Sequence, residues 1–161
     1  MARTVSTFAL IAVMTALLAA LSIVLTRHGY GFGVTGTKRL DGLANASTFI
    51  PLAALYFFGV ALLMILPLRA AGFVLVSGVD RLFWTVVVLF ATIAGYLAAR
   101  AALGDMQSLK ALIDWQFIFV ALVAGCHALL NTLRRNVLVR TLAFAASIAL
   151  ALACLYWTFR L

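Results

Sequence analysis

Charged residues are scarce in this sequence, and acidic residues are the scarcest. Only 10% of its 161 residues are charged, and the chain has four acidic residues, all aspartate, with no glutamate. A soluble domain usually has roughly a quarter of its residues charged. Because 66% of the residues are hydrophobic, this chain cannot cover itself with such a surface. The composition excludes an ordinary soluble domain and indicates a membrane protein.

Long hydrophobic runs take the place of charge, and their length predicts transmembrane helices. A helix needs about 20 mostly apolar residues to cross a hydrocarbon core of about 30 Å. The runs lack alternation between apolar and polar residues, which excludes the strands of a membrane barrel. We therefore expect an all-α, polytopic integral membrane bundle, a single transmembrane domain over 1–161. About five transmembrane helices are predicted, at 5–26, 49–68, 82–103, 113–133 and 139–159.

The first run also resembles a signal peptide, but it is longer than the roughly 7–15 apolar residues of that class. We expect it to be retained as a membrane helix. Lysines and arginines divide evenly between the two predicted sides, and the arginines clustered at 134–140 favour a cytoplasmic N-terminus. A bacterial inner membrane is the expected location.

Histidine is almost absent, and only His127 lies deep inside a predicted helix. It could be a haem ligand, part of a proton relay, or a structural group. A bis-histidine haem within this chain is disfavoured, because His28 lies at the opposite membrane face in the predicted topology. A haem shared with a partner chain stays open as an alternative. Proton relays use intramembrane carboxylates, and none is predicted at that depth. We favour a neutral His127 hydrogen-bonded to a neighbouring helix, with no cofactor.

Polar residues that recur on one helix face are expected to point into the protein, since unsatisfied polar groups are costly in lipid. They would form either an interhelical hydrogen-bond network or a polar cavity. The candidate residues are Thr15, Ser22, Gln116, His127 and Asn131.

No arrangement of catalytic or metal-binding residues is evident. The two cysteines, Cys126 and Cys154, are predicted at depths that differ by about 14 Å, too far apart for a disulfide. No histidine, cysteine or acidic residues have zinc-site spacing, and no nucleophile has a base and an acid beside it. We predict neither catalytic nor metal-binding residues, and an enzyme is not favoured.

A glycine-rich segment at 27–48 separates the first two predicted helices. It contains a G-x-G-x-x-G match at 31–36. A dinucleotide-binding fingerprint requires a preceding strand, whereas a membrane helix precedes this one. We therefore expect an extramembrane loop. Tyr30, Phe32 and Val34 alternate with glycines, which indicates a short extended or hairpin-like stretch within it.

The net charge of +8 indicates anionic lipid headgroups as partners rather than nucleic acid, because the cations lie singly or in small groups beside the apolar runs. The candidate headgroup contacts are Arg69, Arg81, Arg134, Arg135 and Arg140.

Three functional classes fit these patterns. The favoured one is a non-catalytic subunit of a larger membrane complex, because alanine and glycine recur at every fourth residue in several helices and permit close helix contacts. The alternatives are a transport component, either the membrane subunit of a multi-part transporter or a small homo-oligomer, and then a lipid-handling protein. Other membrane protein subunits, or further copies of this chain, are the expected partners.

Overall fold

The computed structural model describes residues 2–43, 48–66, 72–114, 117–134 and 136–160. Within those ranges all regular structure is helical and no strand occurs, which confirms the all-α prediction. The helices are α1 (Ala2–Arg27), α2 (Gly31–Leu43), α3 (Phe49–Ile65), α4 (Gly72–Ala102), a 3₁₀ helix (Met106–Ile113), α5 (Phe117–Leu133) and α6 (Val137–Arg160).

Three of the described helices, α1, α4 and α6, are long and apolar enough to cross a membrane. The count rises to four when the 3₁₀ helix and α5 are taken as one interrupted span. The helix α3 is apolar but has only 17 residues. The structure therefore supports an integral membrane protein, and the predicted number of five spans is not confirmed.

Within the glycine-rich segment, Gly31–Leu43 forms the helix α2, which differs from the short extended or hairpin-like stretch expected around residues 30–34. Gly29 adopts a φ of 83° and forms the turn between α1 and α2. A side chain on Gly33 would meet Thr26 and the carbonyl oxygen of Ser22, and one on Gly36 would come within 2.6 Å of the Ser22 hydroxyl oxygen. The glycines therefore let α2 pack closely on α1, a contact that the sequence did not indicate.

The helix α4 begins ten residues earlier than the predicted helix at 82–103. Since the sequence has no proline between 72 and 102, nothing interrupts the backbone hydrogen bonds of a longer helix. The result is a helix of 31 residues.

The chain divides into two compact units, and α4 contributes to both. Unit 1 consists of Met1–Asn45 and Val87–Phe117, and unit 2 of Ala46–Val86 and Ile118–Leu161.

In unit 1, α1 and the second half of α4 run in the same direction. The rings of Phe8 and Phe90 lie 5.6 Å apart near the start of the contact. Further along, Gly95 packs on the backbone of α1 at Ala12. At the far end, the Arg27 guanidinium donates a 2.8 Å hydrogen bond to the Leu103 carbonyl oxygen. The C-terminal ends of the two helices therefore lie together.

In unit 2, α3 supplies the most deeply buried side chains and packs against α6. Phe49, Tyr56, Phe57 and Val60 of α3 are almost completely buried. On α6 the buried residues recur on one face and are all small: Ala143, Ser147, Ala151 and Cys154. Large residues of one helix are thus matched by small residues of the other, as close packing requires.

Gly95 offers a direct test of the packing in unit 1. A methyl group there would meet the backbone oxygen of Ala12 and lie 3.1 Å from the backbone nitrogen of Ala16. Because backbone atoms cannot rotate away, we expect Gly95→Ala to lower the free energy of unfolding by about 1–3 kcal/mol. Thermal unfolding in mild detergent measures the effect.

The matched control is Gly78→Ala in the same helix, where an added methyl group meets nothing within 4 Å. There we expect no loss, or a gain of up to about 1 kcal/mol from helix propensity. Equal midpoints for the two variants would contradict the described contact.

Candidate functional sites

His127 lies on α5 in unit 2 and is surrounded by side chains of α3 and α4. Its ring stacks on Phe83, with centroids 3.8 Å apart and an interplanar angle of 4°. The fully buried hydroxyl of Tyr56 lies 3.3 Å from its Nδ1. The Asp80 carboxylate lies 3.8 Å from its Nε2, and Asp80 is exposed at its other side. Both ring nitrogens therefore face a polar group.

This arrangement joins three helices through one side chain. The flat faces of His127 and Phe83 supply apolar contact. The Tyr56 hydroxyl is a hydrogen-bonding partner for Nδ1 of His127, which lipid could not provide. Cys126 lies within hydrogen-bonding reach of the same hydroxyl. Among the described residues, no three histidine, cysteine or acidic side chains come close enough to hold a metal ion. The contacts that the structure shows around His127 are a ring stack and polar contacts between helices.

The other predicted network residues have different surroundings. Ser22 in unit 1 donates a 3.1 Å hydrogen bond to the Gly33 carbonyl oxygen, and Thr15 of α1 is half-buried. Asn131 in unit 2 is exposed, so its amide does not share the interior with His127. Gln116 lies outside the described residues.

The structure describes three of the five arginines predicted to contact lipid headgroups. Arg81 and Arg140 are exposed, and Arg134 is half-buried. Arg69 and Arg135 lie outside the described residues.

Both cysteines are free thiols.

A second polar cluster, in unit 1, was not predicted. It consists of Asp41 on α2, Tyr96 and Arg100 on α4, and Asp105 just beyond α4. The Arg100 guanidinium donates to Asp41 at 3.1 Å and to Asp105 at 2.6 Å. The Tyr96 hydroxyl donates to Asp41 at 2.6 Å, and its ring centroid lies 5.8 Å from the Arg100 guanidinium carbon. One arginine thus connects α2, α4 and the following turn.

These four residues line a cavity of about 280 Å³, which we call the polar cavity. Arg27 and Thr37 complete its polar lining, and Ile23 and Leu103 its apolar part. The polar cavity lies where the C-terminal ends of α1 and α4 meet.

Sequence spacing could have indicated only a small part of this cluster. Arg100 and Asp105 are only five positions apart in sequence. Asp41 is 59 positions from Arg100 and belongs to a segment expected to be a loop. Only the packing of α2 as a helix brings the two together.

Unit 2 contains a cavity of about 350 Å³ with a different character. Its lining is apolar except for one threonine: Pro51, Ala54, Leu55, Phe58, Ala151, Leu155 and Thr158. The Thr158 hydroxyl already donates to the Cys154 carbonyl oxygen. Such a groove between α3 and α6 offers apolar contact and little that would orient a polar substrate.

Comparison with known proteins finds no matching family model, no matching curated protein and no matching solved structure. Function is therefore inferred from the geometry of the chain itself.

His127 can be tested as a structural residue by a double substitution. His127→Leu alone leaves the buried Tyr56 hydroxyl without its nitrogen partner and with the weakly hydrogen-bonding Cys126 thiol in its place, so we expect a loss of about 1–3 kcal/mol in the free energy of unfolding. Adding Tyr56→Phe removes this poorly satisfied hydroxyl and should recover at least half of that loss. Thermal unfolding of the two single variants and the double variant in detergent completes the cycle. Strictly additive losses would count against the hydrogen bond.

Proposed function

We propose that this chain is a five-span integral membrane protein that acts as a non-catalytic subunit of a larger membrane complex. The direction of the helices supports the span count. Because α1 and α4 run in parallel in unit 1, two spanning helices in those positions require one crossing back between them. The apolar helix α3 supplies that crossing, since its 17 residues are at the lower limit for a span, roughly 17–25 residues.

The remaining helices, α5 and α6, also run in opposite directions. In unit 2 the rings of Phe119 and Trp157 lie 6.5 Å apart, which brings the start of α5 beside the end of α6. These two helices are therefore antiparallel neighbours. With α5 crossing in one direction and α6 in the other, the total is five. Tyr156, Trp157 and Arg160 at the end of α6 fit the headgroup region, where aromatic and basic side chains concentrate.

Small side chains on the outer surface of unit 2 support the role of a subunit. Ala121, Gly125 and Ala128 form an exposed face of α5, and Ala145 and Ala149 an exposed face of α6. A methyl group added at Gly125 would meet nothing within 4 Å. Lipid provides no hydrophobic drive for helix association, so helices in membranes associate through faces of small residues that allow close approach. This outward small-residue face is the observation that favours docking of another membrane helix.

The alanines that recur at every fourth residue on α1 and α6 differ in what they contact. On α1, Ala12 and Ala16 are covered by Gly95 of α4. On α6, one small face is buried against α3, and the face containing Ala145 and Ala149 is exposed. The surface available for a partner is therefore on α5 and α6 rather than on α1.

A transport component is the second candidate, and the polar cavity favours it, because paired charges beside spanning helices can receive a polar solute. For either role we propose a bacterial inner membrane and a cytoplasmic N-terminus. The arginines that flank the α5–α6 connection support that orientation, since Lys and Arg concentrate in short cytoplasmic loops.

Co-purification tests the subunit proposal. We expect native mass spectrometry after mild detergent extraction of the tagged chain to show it bound to at least one further membrane chain or a second copy. Gly125→Leu places a large side chain in the small-residue face and should reduce recovery of the partner about tenfold, equivalent to the loss of about 1.4 kcal/mol.

The matched control is Ala98→Leu, which adds a bulky side chain at an exposed position of α4 and should leave recovery unchanged. The proposal is wrong if the wild-type chain is released as a single polypeptide. It is also wrong if the two variants recover the partner equally well.

A further inference from the structure

The carboxylates of the polar cavity use only one oxygen each in their contacts with the described residues. Oδ1 of Asp41 accepts from both the Tyr96 hydroxyl and Arg100. Oδ2 of Asp105 accepts from both Nε and a terminal nitrogen of Arg100. Asp41 and Asp105 are about half exposed. The second oxygen of each carboxylate is therefore available to a hydrogen-bond donor in the cavity.

Charges of both signs line the polar cavity. Arg100 and its two carboxylates carry a net charge of about −1 together. Arg27 contributes the balancing positive charge and directs one nitrogen to the Leu103 carbonyl oxygen, so its other N–H groups remain for an acceptor. No ion pair of the described chain includes Arg27. The cavity lining thus combines carboxylate acceptors with a guanidinium donor, and its overall charge is near zero.

The place and size of the cavity restrict its ligand. Arg27 ends α1 and Arg100 lies in the last turn of α4, and these are parallel helices long enough to span a membrane. The cavity therefore lies at the depth of lipid headgroups if both helices cross. A volume of about 280 Å³ is at or below the lower limit of sites for drug-sized molecules, roughly 300 Å³, and suits a small polar group.

We propose that the polar cavity binds the headgroup of a phosphatidylethanolamine lipid. The primary ammonium group has three N–H donors for the free oxygens of Asp41 and Asp105, and the phosphate accepts from Arg27. A choline headgroup has the same charges but no N–H donor, and a glycerol headgroup has no cation. The site therefore distinguishes lipids by hydrogen bonding rather than by net charge. This inference depends on membrane insertion and not on the subunit role.

The first experiment uses the wild-type protein in nanodiscs that contain equal amounts of phosphatidylethanolamine, phosphatidylcholine and phosphatidylglycerol. Native mass spectrometry of the released protein counts the lipids that stay bound. We expect one phosphatidylethanolamine to be retained about tenfold more often than either other lipid, as charge-assisted hydrogen bonds predict. Equal retention of the three lipids, or preference for phosphatidylglycerol, would overturn the proposal.

Substitutions in the polar cavity test whether the lipid binds there. The double substitution Asp41→Asn with Asp105→Asn should abolish the preference, because it removes the carboxylates that accept from the ammonium group. The single substitution Arg27→Gln should lower retention of phosphatidylethanolamine several-fold without reversing the preference, because Arg27 contacts the phosphate that all three lipids share. The controls Asp114→Asn and Arg3→Gln change the same residue types at exposed positions outside the cavity and should retain it. Circular dichroism and gel filtration establish that each variant is folded. A folded carboxylate variant that keeps the wild-type preference, or a folded Arg27→Gln variant that retains the lipid as often as the wild type, would contradict the assignment.

A third measurement separates a lipid from a soluble molecule with the same headgroup. Soluble phosphoethanolamine, at a concentration equal to that of the lipid, is added to the protein with its retained lipid. A lipid site keeps the lipid, because the acyl chains add apolar contact that the soluble molecule lacks. Displacement of the lipid by the soluble compound at equal concentration would identify a site for a soluble solute and refute the lipid assignment.

Discussion

Close contact between helix backbones is the constraint on which this structure depends. Lipid is as apolar as the side chains that face it, so burial of apolar surface does not drive membrane helices together. Membrane helices instead associate through dispersion contacts and short-range hydrogen bonds. Both need small residues, because these let the helix backbones approach closely. Gly95 brings α4 onto α1, Gly33 and Gly36 bring α2 onto α1, and the small face of α6 receives α3. Without these positions the polar side chains could not meet.

The two polar clusters use this closeness in different ways. Around His127 the groups are stacked and hydrogen-bonded to one another, so the cluster in unit 2 holds helices together. Around Arg100 in unit 1 the same kinds of groups border open space, and carboxylate oxygens remain available. We propose a supporting role for His127 from the first arrangement and a ligand-binding role for the second. A membrane subunit that also holds a structural lipid would combine the two.

The sequence predicted those features that depend on length and composition alone. The long apolar runs of α1 and α6 were placed within a few residues, because an uninterrupted apolar run of that length has few other stable forms. The connections were less predictable. Glycines indicate conformational freedom, but they cannot show whether that freedom serves a loop or a close contact with Ser22 and Thr26. Likewise Asp41 and Arg100 are paired only because α2 is a helix on α1. His127 was singled out from its depth, yet Tyr56 and Phe83 lie far away in sequence and could not be assigned to it.

The central claim is that α1 and α4 cross the membrane in the same direction. Single cysteines introduced by Arg3→Cys, His28→Cys and Met106→Cys, in a chain whose two native cysteines are replaced by alanine, test it in sealed vesicles with a membrane-impermeant maleimide. The account predicts that positions 28 and 106 are labelled from one side and position 3 from the other. Labelling of positions 28 and 106 from opposite sides, or of all three from the same side, would contradict it.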